Sequence, residues 1–257
     1  MAIVTTAAVV LRTYRYSETS KIVRLATREI GVQSAIAKGA LRPKSRFGAA
    51  LEFLSEGEAQ LYVRDTRDLQ TLAAFDVVAL RQELAAGVAR FHGGAALAEV
   101  MLHAAPPAPL PAAYDTLLRG LDLLVETPSD AVDAAGARAV WLLVAALGFA
   151  PALESCVRDG GALGSGPVAF SPSEGGVLCP RCAGAAEASR LKAVDYQALV
   201  TLNDERAELP ALDGPHAAAH RRLAARFVRH HVGESMPALD AWERQPWTPP
   251  LRAPAAS

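Results

Sequence analysis

Ile22-Val23-Arg24-Leu25-Ala26-Thr27 sets Ile22, Arg24 and Ala26 on one face of an extended chain and Val23, Leu25 and Thr27 on the other. A period of two is the repeat of a β-strand, so the stretch predicts one. Gly31 breaks the run and residues 32–37 resume it, which reads as strand, turn, strand. Upstream, Val9-Val10-Leu11-Arg12-Thr13-Tyr14 is β-branched and aromatic, again strand-like. Downstream, residues 38–48 are rich in glycine, proline and charge and predict a loop; residues 51–54, 59–63 and 69–78 supply further strand-like segments. Short strands at a spacing of roughly ten residues predict a small barrel or sandwich. About five of them over residues 1–80 suit an OB-type barrel, with an SH3-like barrel as the competing closure.

The texture changes near residue 81. Residues 81–104 space Leu84, Val88, Phe91, Ala95 and Val100 as a helix does. Pro106-Pro107-Ala108-Pro109 interrupts as a rigid loop, and residues 110–125 and 131–147 predict two more helices. Thr127-Pro128-Ser129-Asp130 reads as a stop followed by an N-cap, and Gly148 as a C-cap. Residues 151–185 are glycine- and proline-rich and hold every cysteine; helical spacing returns at 189–203 and 215–232. The expected organisation is therefore α+β and multidomain: a barrel at 1–80, an α-helical domain at 81–245 with the 151–185 cysteine module inserted, and a mobile tail at 246–257.

Composition bounds the function. Hydrophobic residues make up 51% of 257, enough for a sizeable core. There is no run of about 18 uncharged apolar residues to span a membrane. The start of the chain lacks the pattern of a secretory signal. Three cysteines, all within 156–182, argue against a disulfide framework and for a reducing, cytoplasmic setting. P-loop, zinc-protease, dinucleotide-binding and serine-hydrolase motifs are missing, so the reading is of a binding protein and not an enzyme.

Charge is unevenly spread. Residues 1–48 carry Arg12, Arg15, Lys21, Arg24, Arg28, Lys38, Arg42, Lys44 and Arg46 against Glu18 and Glu29 alone, a net of +7 in a chain of net −1. One module built to meet a polyanion gives such an asymmetry. The loop Lys38-Gly39-Ala40-Leu41-Arg42-Pro43-Lys44-Ser45-Arg46-Phe47-Gly48 places four cations on a stiffened chain that can track phosphates, with Phe47 available to stack on a base. The expected DNA-binding residues are Lys38, Arg42, Lys44 and Arg46, then Arg12, Lys21 and Arg24, with Phe47. The alternative is a protein–protein adaptor whose basic loop docks an acidic partner peptide.

The cysteines form two half-sites, Cys156-Val157-Arg158-Asp159 and Cys179-Pro180-Arg181-Cys182. With Asp159 as a ligand the spacing falls in the range of a structural zinc site, since carboxylate oxygen is an acceptable if less common donor. Four protein ligands leave no open position, which argues against a metal-dependent hydrolase. His216 or His220 is the alternative fourth ligand.

Several segments carry a resemblance: Tyr16-Ser17-Glu18-Thr19-Ser20-Lys21-Ile22-Val23, the Lys38 to Glu52 string, Phe170-Ser171-Pro172-Ser173-Glu174-Gly175-Gly176-Val177-Leu178-Cys179, and Arg229-His230-His231-Val232-Gly233. Over about residues 3–240 the chain resembles the RecO family of bacterial recombinational-repair proteins. The resemblance implies an N-terminal OB-fold and an α-helical domain with an embedded zinc module. It implies binding to ssDNA and dsDNA, annealing of complementary strands and assistance to RecA loading. It also implies partnership with RecR, contact with the C-terminal tail of the single-stranded-DNA-binding protein, and a cytoplasmic, nucleoid-associated location. Zinc-bearing members have cysteine where this chain has Asp159, and other members have lost the site; retention of three cysteines favours one structural zinc per chain.

Overall fold

A computed structural model describes residues 2–64, 66–164, 166–184 and 187–247. Five strands form the N-terminal part: β1 (Ala2–Arg15), β2 (Lys21–Thr27), β3 (Gly31–Ala37), β4 (Glu56–Val63) and β5 (Leu69–Ala79). They close into a barrel of order β1-β2-β3-β5-β4, consistent with the OB-type expectation. β1 is long enough to serve two neighbours. Its first half pairs with β4 and its second half with β2, both antiparallel. β3 and β5 complete the ring in parallel.

Val9-Val10-Leu11 does not alternate because both of its faces are buried. Ala8 and Val10 join Val23, Leu25, Ala35 and Leu61 inside the barrel. Val9 and Leu11 face outward, with Ala26 and Val32, into the core of the helical part. A bulge between Val10 and Arg12 turns Leu11 and Arg12 to the same outer side.

Seven helices lie among the described residues: α1 (Val88–Ala104), α2 (Pro111–Glu126), α3 (Val132–Ala146), α4 (Pro180–Ala183), α5 (Ala193–Leu202), α6 (Gly214–His231) and α7 (Pro237–Arg244). A 3₁₀ turn at Gln82–Ala86 precedes them. Between α3 and α5 a small antiparallel sheet of order β7-β6-β8 intervenes: β6 (Val168–Ser171), β7 (Gly176–Leu178) and β8 (Ser189–Leu191). Trp141 of α3, Phe170 of β6 and Phe227 of α6 meet with ring centroids 5.1–5.8 Å apart, at the separations that aromatic pairs favour. Asp133, Arg221 and Gln245 form a buried polar network: Arg221 pairs with Asp133, donates to Gln245 O at 2.8 Å, and Gln245 Nε2 donates to Asp133 at 3.0 Å.

The barrel is fastened to the helices. Gly31 has φ +72, and a Cβ there would stand 2.3 Å from the Ala108 carbonyl oxygen, so only glycine fits. Val32 N–H donates to Pro106 O at 3.3 Å. Arg81 bridges Glu56 at 2.6 Å and Asp122 at 2.9 Å.

Several expectations differ from the structure. Residues 51–54 are not a strand; Leu51 and Leu54 are buried in turns, one inside the barrel and one against the helices. Asp130 does not cap α3, whose N-cap is Ala131 without a side-chain bond. The helix α7 had no counterpart in the expected elements, and within the tail at 246–257 Trp247 lies against Gly214, with residues 248–257 outside the described residues.

Candidate nucleic-acid interface and metal centre

The hairpin of β1 and β2 sets Arg12 opposite Arg24 and Arg15 opposite Lys21. Lys21 also stands opposite Ala37, so Lys38 follows directly beside it. From Lys38 the chain runs as successive turns, with Ala40, Arg42, Ser45 and Gly48 each donating back to the residue three before it. Leu41 N–H donates to Thr19 O at 2.9 Å and ties this segment to the β1–β2 connection. Lys38, Arg42, Lys44 and Arg46 are all exposed, and Arg15 and Lys21 lie at the same end of the barrel.

Phe47 departs from expectation. It is 2% exposed and packs inside the barrel with Leu51 and Ala40. A buried ring cannot stack on a base, so Phe47 is an anchor for the loop and not a stacking residue. The Arg46 guanidinium lies 5.0 Å from its ring centroid, a cation–π contact that seats the arginine at the surface.

Two of the nine cations are answered by carboxylates of the helices. Arg28 makes a two-pronged contact with Asp115 at 2.9 and 3.1 Å, which holds that carboxyl below its ordinary range. Arg12 lies 3.7 Å from Glu99, a buried carboxylate that also accepts the Leu239 N–H at 2.9 Å. Arg12 therefore has a structural charge to balance. The other seven make no ion pair among the described residues, so their potential is not cancelled locally.

Two arginines that sequence reasoning passed over join this region. Arg64 and Arg67, in the β4–β5 connection, line a cleft of ≈ 590 Å³ together with Arg24, Gln33 and Ser34. Gln70 holds the connection by accepting from Arg64 N–H at 2.9 Å and donating to Arg67 O at 2.5 Å. Arg24 Nε is buried in the protein without a hydrogen-bond partner among the described residues. The strands expected at 59–63 and 69–78 imply a connection here, and Arg64 and Arg67 in that connection are the signal that points to it.

The cysteine half-sites converge. The ligand atoms of Cys156, Asp159, Cys179 and Cys182 all lie within 4.8 Å of one another. The first knuckle is closed by Gly160 N–H donating to Cys156 O at 2.8 Å and Cys156 N–H donating to Gly161 O at 2.9 Å, with Gly160 at φ +67. The second is the turn of α4, closed by Cys182 N–H to Cys179 O at 3.1 Å. Val157 N–H donates to Val177 O at 2.9 Å and sets the two knuckles side by side.

The donor set fits a divalent cation. Gly161 N–H donates to Asp159 Oδ1 at 2.9 Å, and this bond with those of the cysteine thiols lowers the carboxyl to about 2. Oδ2 accepts from the exposed Arg181 Nη2 at 3.2 Å and faces Cys182 Sγ at 3.4 Å and Cys179 Sγ at 3.6 Å. Burial, then the neighbouring Cys179 and Asp159, push the Cys182 thiol up to about 12. Three thiols and a carboxylate in this space are deprotonated together only if a cation neutralises them. His216 and His220 are not part of the cluster. His216 contacts Asp213 at 2.6 Å, while His220 is buried in α6 with both ring nitrogens unpartnered among the described residues.

Comparison with known proteins agrees with this layout. The family model described as Recombination protein O N terminal matches residues 1–81, and Recombination protein O C terminal matches residues 88–240. The DNA repair protein RecO of Anaeromyxobacter sp. (strain K) is 34% identical over 239 residues, covering 90% of this chain and 92% of the relative. That of Symbiobacterium thermophilum is 33% identical over 235 residues, covering 89% and 92%. A barrel, a helical body and these matches define a protein of DNA recombination and repair. The chain belongs to the RecO family. No helix among the described residues is long and apolar enough to cross a membrane.

Proposed function

We propose that this chain is a non-enzymatic recombination mediator that binds ssDNA and dsDNA through one end of an OB-fold barrel. The carrying observation is that seven cations of the first 48 residues make no ion pair among the described residues, six of them (Arg15, Lys21, Lys38, Arg42, Lys44 and Arg46) at that end. Phosphates laid across that end displace counterions from both partners, which gives salt-dependent, sequence-tolerant binding. The orphaned Arg24 Nε, beside Arg64 and Arg67, supports an extension of the track into the cleft, where a phosphate oxygen would satisfy the buried donor. Holding two strands on one cationic surface screens their mutual repulsion and favours annealing. With the resemblance to the RecO family as their ground, the further roles in this proposal are RecA loading with RecR, contact with the tail of the single-stranded-DNA-binding protein, and a cytoplasmic, nucleoid-associated setting.

In this reading residues 1–80 are the DNA-binding unit, and 81–245 are the helical unit into which the module at 151–185 is inserted. Cys156, Asp159, Cys179 and Cys182 hold one structural Zn²⁺, Asp159 through Oδ2, the oxygen that faces the Cys179 and Cys182 thiols. The ion would pin the two knuckles together and leave no open position for substrate.

The test is a titration of the full chain with a labelled oligonucleotide at several salt concentrations. Tight binding with a steep salt slope is expected. Failure to bind DNA, together with binding of an acidic peptide, would establish the adaptor reading instead.

A further inference from the structure

Residues 81–257 carry a net −4 while the first 48 residues carry +7, yet one face of the helical part is cationic. On α6, Arg222, Arg226 and His230 recur every fourth residue, and all three are exposed. A step of four residues advances about 6 Å along the axis and stays on one face. The exposed Arg190 of β8 joins Arg222 and Arg226 around one shallow cleft, and Arg226 also lines the next cleft, with His230 and Arg229.

The charges of this stripe are largely unspent. The Arg190 and Arg222 side chains make no hydrogen bond or ion pair among the described residues. Arg226 donates to Ser189 Oγ at 2.9 Å and, among the described residues, meets only the exposed Glu187 as an ion-pair partner, at 3.9 Å. Arg229 is the exception, held by Asp240 at 2.7 Å and Glu243 at 2.6 Å. Among the described residues, the first cleft has one acid in its lining, Asp195, which lies 3.7 Å from His216. His220 supplies an independent sign of a missing ligand: it is 2% exposed, lines the same cleft, and has no partner on either ring nitrogen among the described residues. A buried imidazole normally bonds through at least one nitrogen.

We infer that Arg190, Arg222, Arg226 and His230 form a second nucleic-acid contact that grips the phosphodiester backbone of a strand, separate from the barrel. Each DNA strand carries one charge per about 3.4 Å, so a stripe about 12 Å long meets three or four phosphates. An acidic peptide fits less well, because peptide docking needs an apolar anchor and no large hydrophobic residue is exposed along the stripe. The inference rests on the reading that the chain binds nucleic acid.

The experiment measures binding of a fluorescein-labelled oligothymidylate to the full chain against salt. R190Q/R222Q is compared with the barrel variant R42Q/K44Q and with the quadruple variant. Each lost single-strand phosphate contact lowers the log–log salt slope by about 0.7. R190Q/R222Q should therefore lose about 1.4, and the salt-dependent binding that survives in R42Q/K44Q should weaken further in the quadruple variant. An unchanged slope in R190Q/R222Q, with the expected loss in R42Q/K44Q, would overturn this inference and leave the barrel reading standing. No binding by the unaltered chain would overturn the barrel reading itself. Loss of polyglutamate binding in R190Q/R222Q, with an intact DNA slope, would assign the stripe to an acidic peptide and also overturn the inference. Both side chains are exposed, and matching thermal melts of variant and parent confirm that folding is unaffected.

Discussion

Arg12 and Arg24 stand directly opposite each other across the β1–β2 ladder. Like charges in that position are destabilising, and Arg15 facing Lys21 repeats the arrangement three residues further along. Glu99 offsets the first pair only in part, at 3.7 Å from Arg12. A hairpin bearing two such pairs is better suited to a bound polyanion than to its own stability.

Reversing Arg42 and Lys44 to Glu should weaken DNA binding for every sequence and flatten the salt slope. The slope should fall by about 0.9 per contact on duplex and about 0.7 on single strands. Both side chains are exposed, so the melting temperature should stay put. Unchanged affinity and slope would remove the loop from the interface.

Phe47→Ala should behave as a core mutation. Truncating a buried phenylalanine costs about 3–5 kcal/mol, so thermal unfolding should come well below that of the parent. Phe47→Leu keeps most of the volume and should retain DNA affinity within about threefold, because the ring is buried inside the barrel, out of reach of a base. A large loss of affinity in a stably folded Phe47→Leu chain would restore a stacking role.

Elemental analysis of freshly purified chain should find about one zinc. Cys179→Ser should release it and lower the melting temperature. Asp159→Cys should keep it and resist chelation longer, since it supplies a thiolate where a carboxylate stood. A metal-free parent with an unaltered melt on chelator addition would refute the site.

Burial holds His220 below the ordinary histidine range, against the opposing pull of Asp195. The folded chain keeps it neutral while the unfolded chain takes up a proton near pH 6.5. The unfolded state then binds more protons, so this stability is complete above about pH 6.5 and drains away as pH falls toward the lower folded value. Differential scanning calorimetry from about pH 7.5 to 5.5 should show a falling melting temperature, and His220→Gln should shrink the fall. Some should persist, because burial also lowers His231. An identical pH dependence in parent and variant would contradict the assignment.

What the sequence discloses follows the strength of its periodic signals. Ile22–Thr27 and Val32–Ala37 were legible because buried Val23, Leu25, Ala35 and Ala37 alternate with the partly exposed Ile22, Arg24, Ser34 and Ile36, and a glycine separates the two runs. The start of β1 was not, since Thr5, Thr6, Ala7 and Ala8 carry little hydrophobic signal and are held by pairing to β4. Leu51 and Leu54 were misread because apolar residues that plug a barrel resemble those that line a strand. The helix α7 is eight residues long, anchored by Leu239 and Trp242, and too short for spacing alone to reveal it. The cysteine site was legible from linear spacing, whereas Arg64, Arg67 and the α6 stripe were hidden within a segment whose average charge is negative.

The outward-facing Val9, Leu11, Ala26 and Val32 are covered only because helices lie over them. A fragment cut after Ala79 would bare that greasy wall to water. Such a piece should clump, and dissecting this protein into separable tools will require repainting those four positions with polar side chains first.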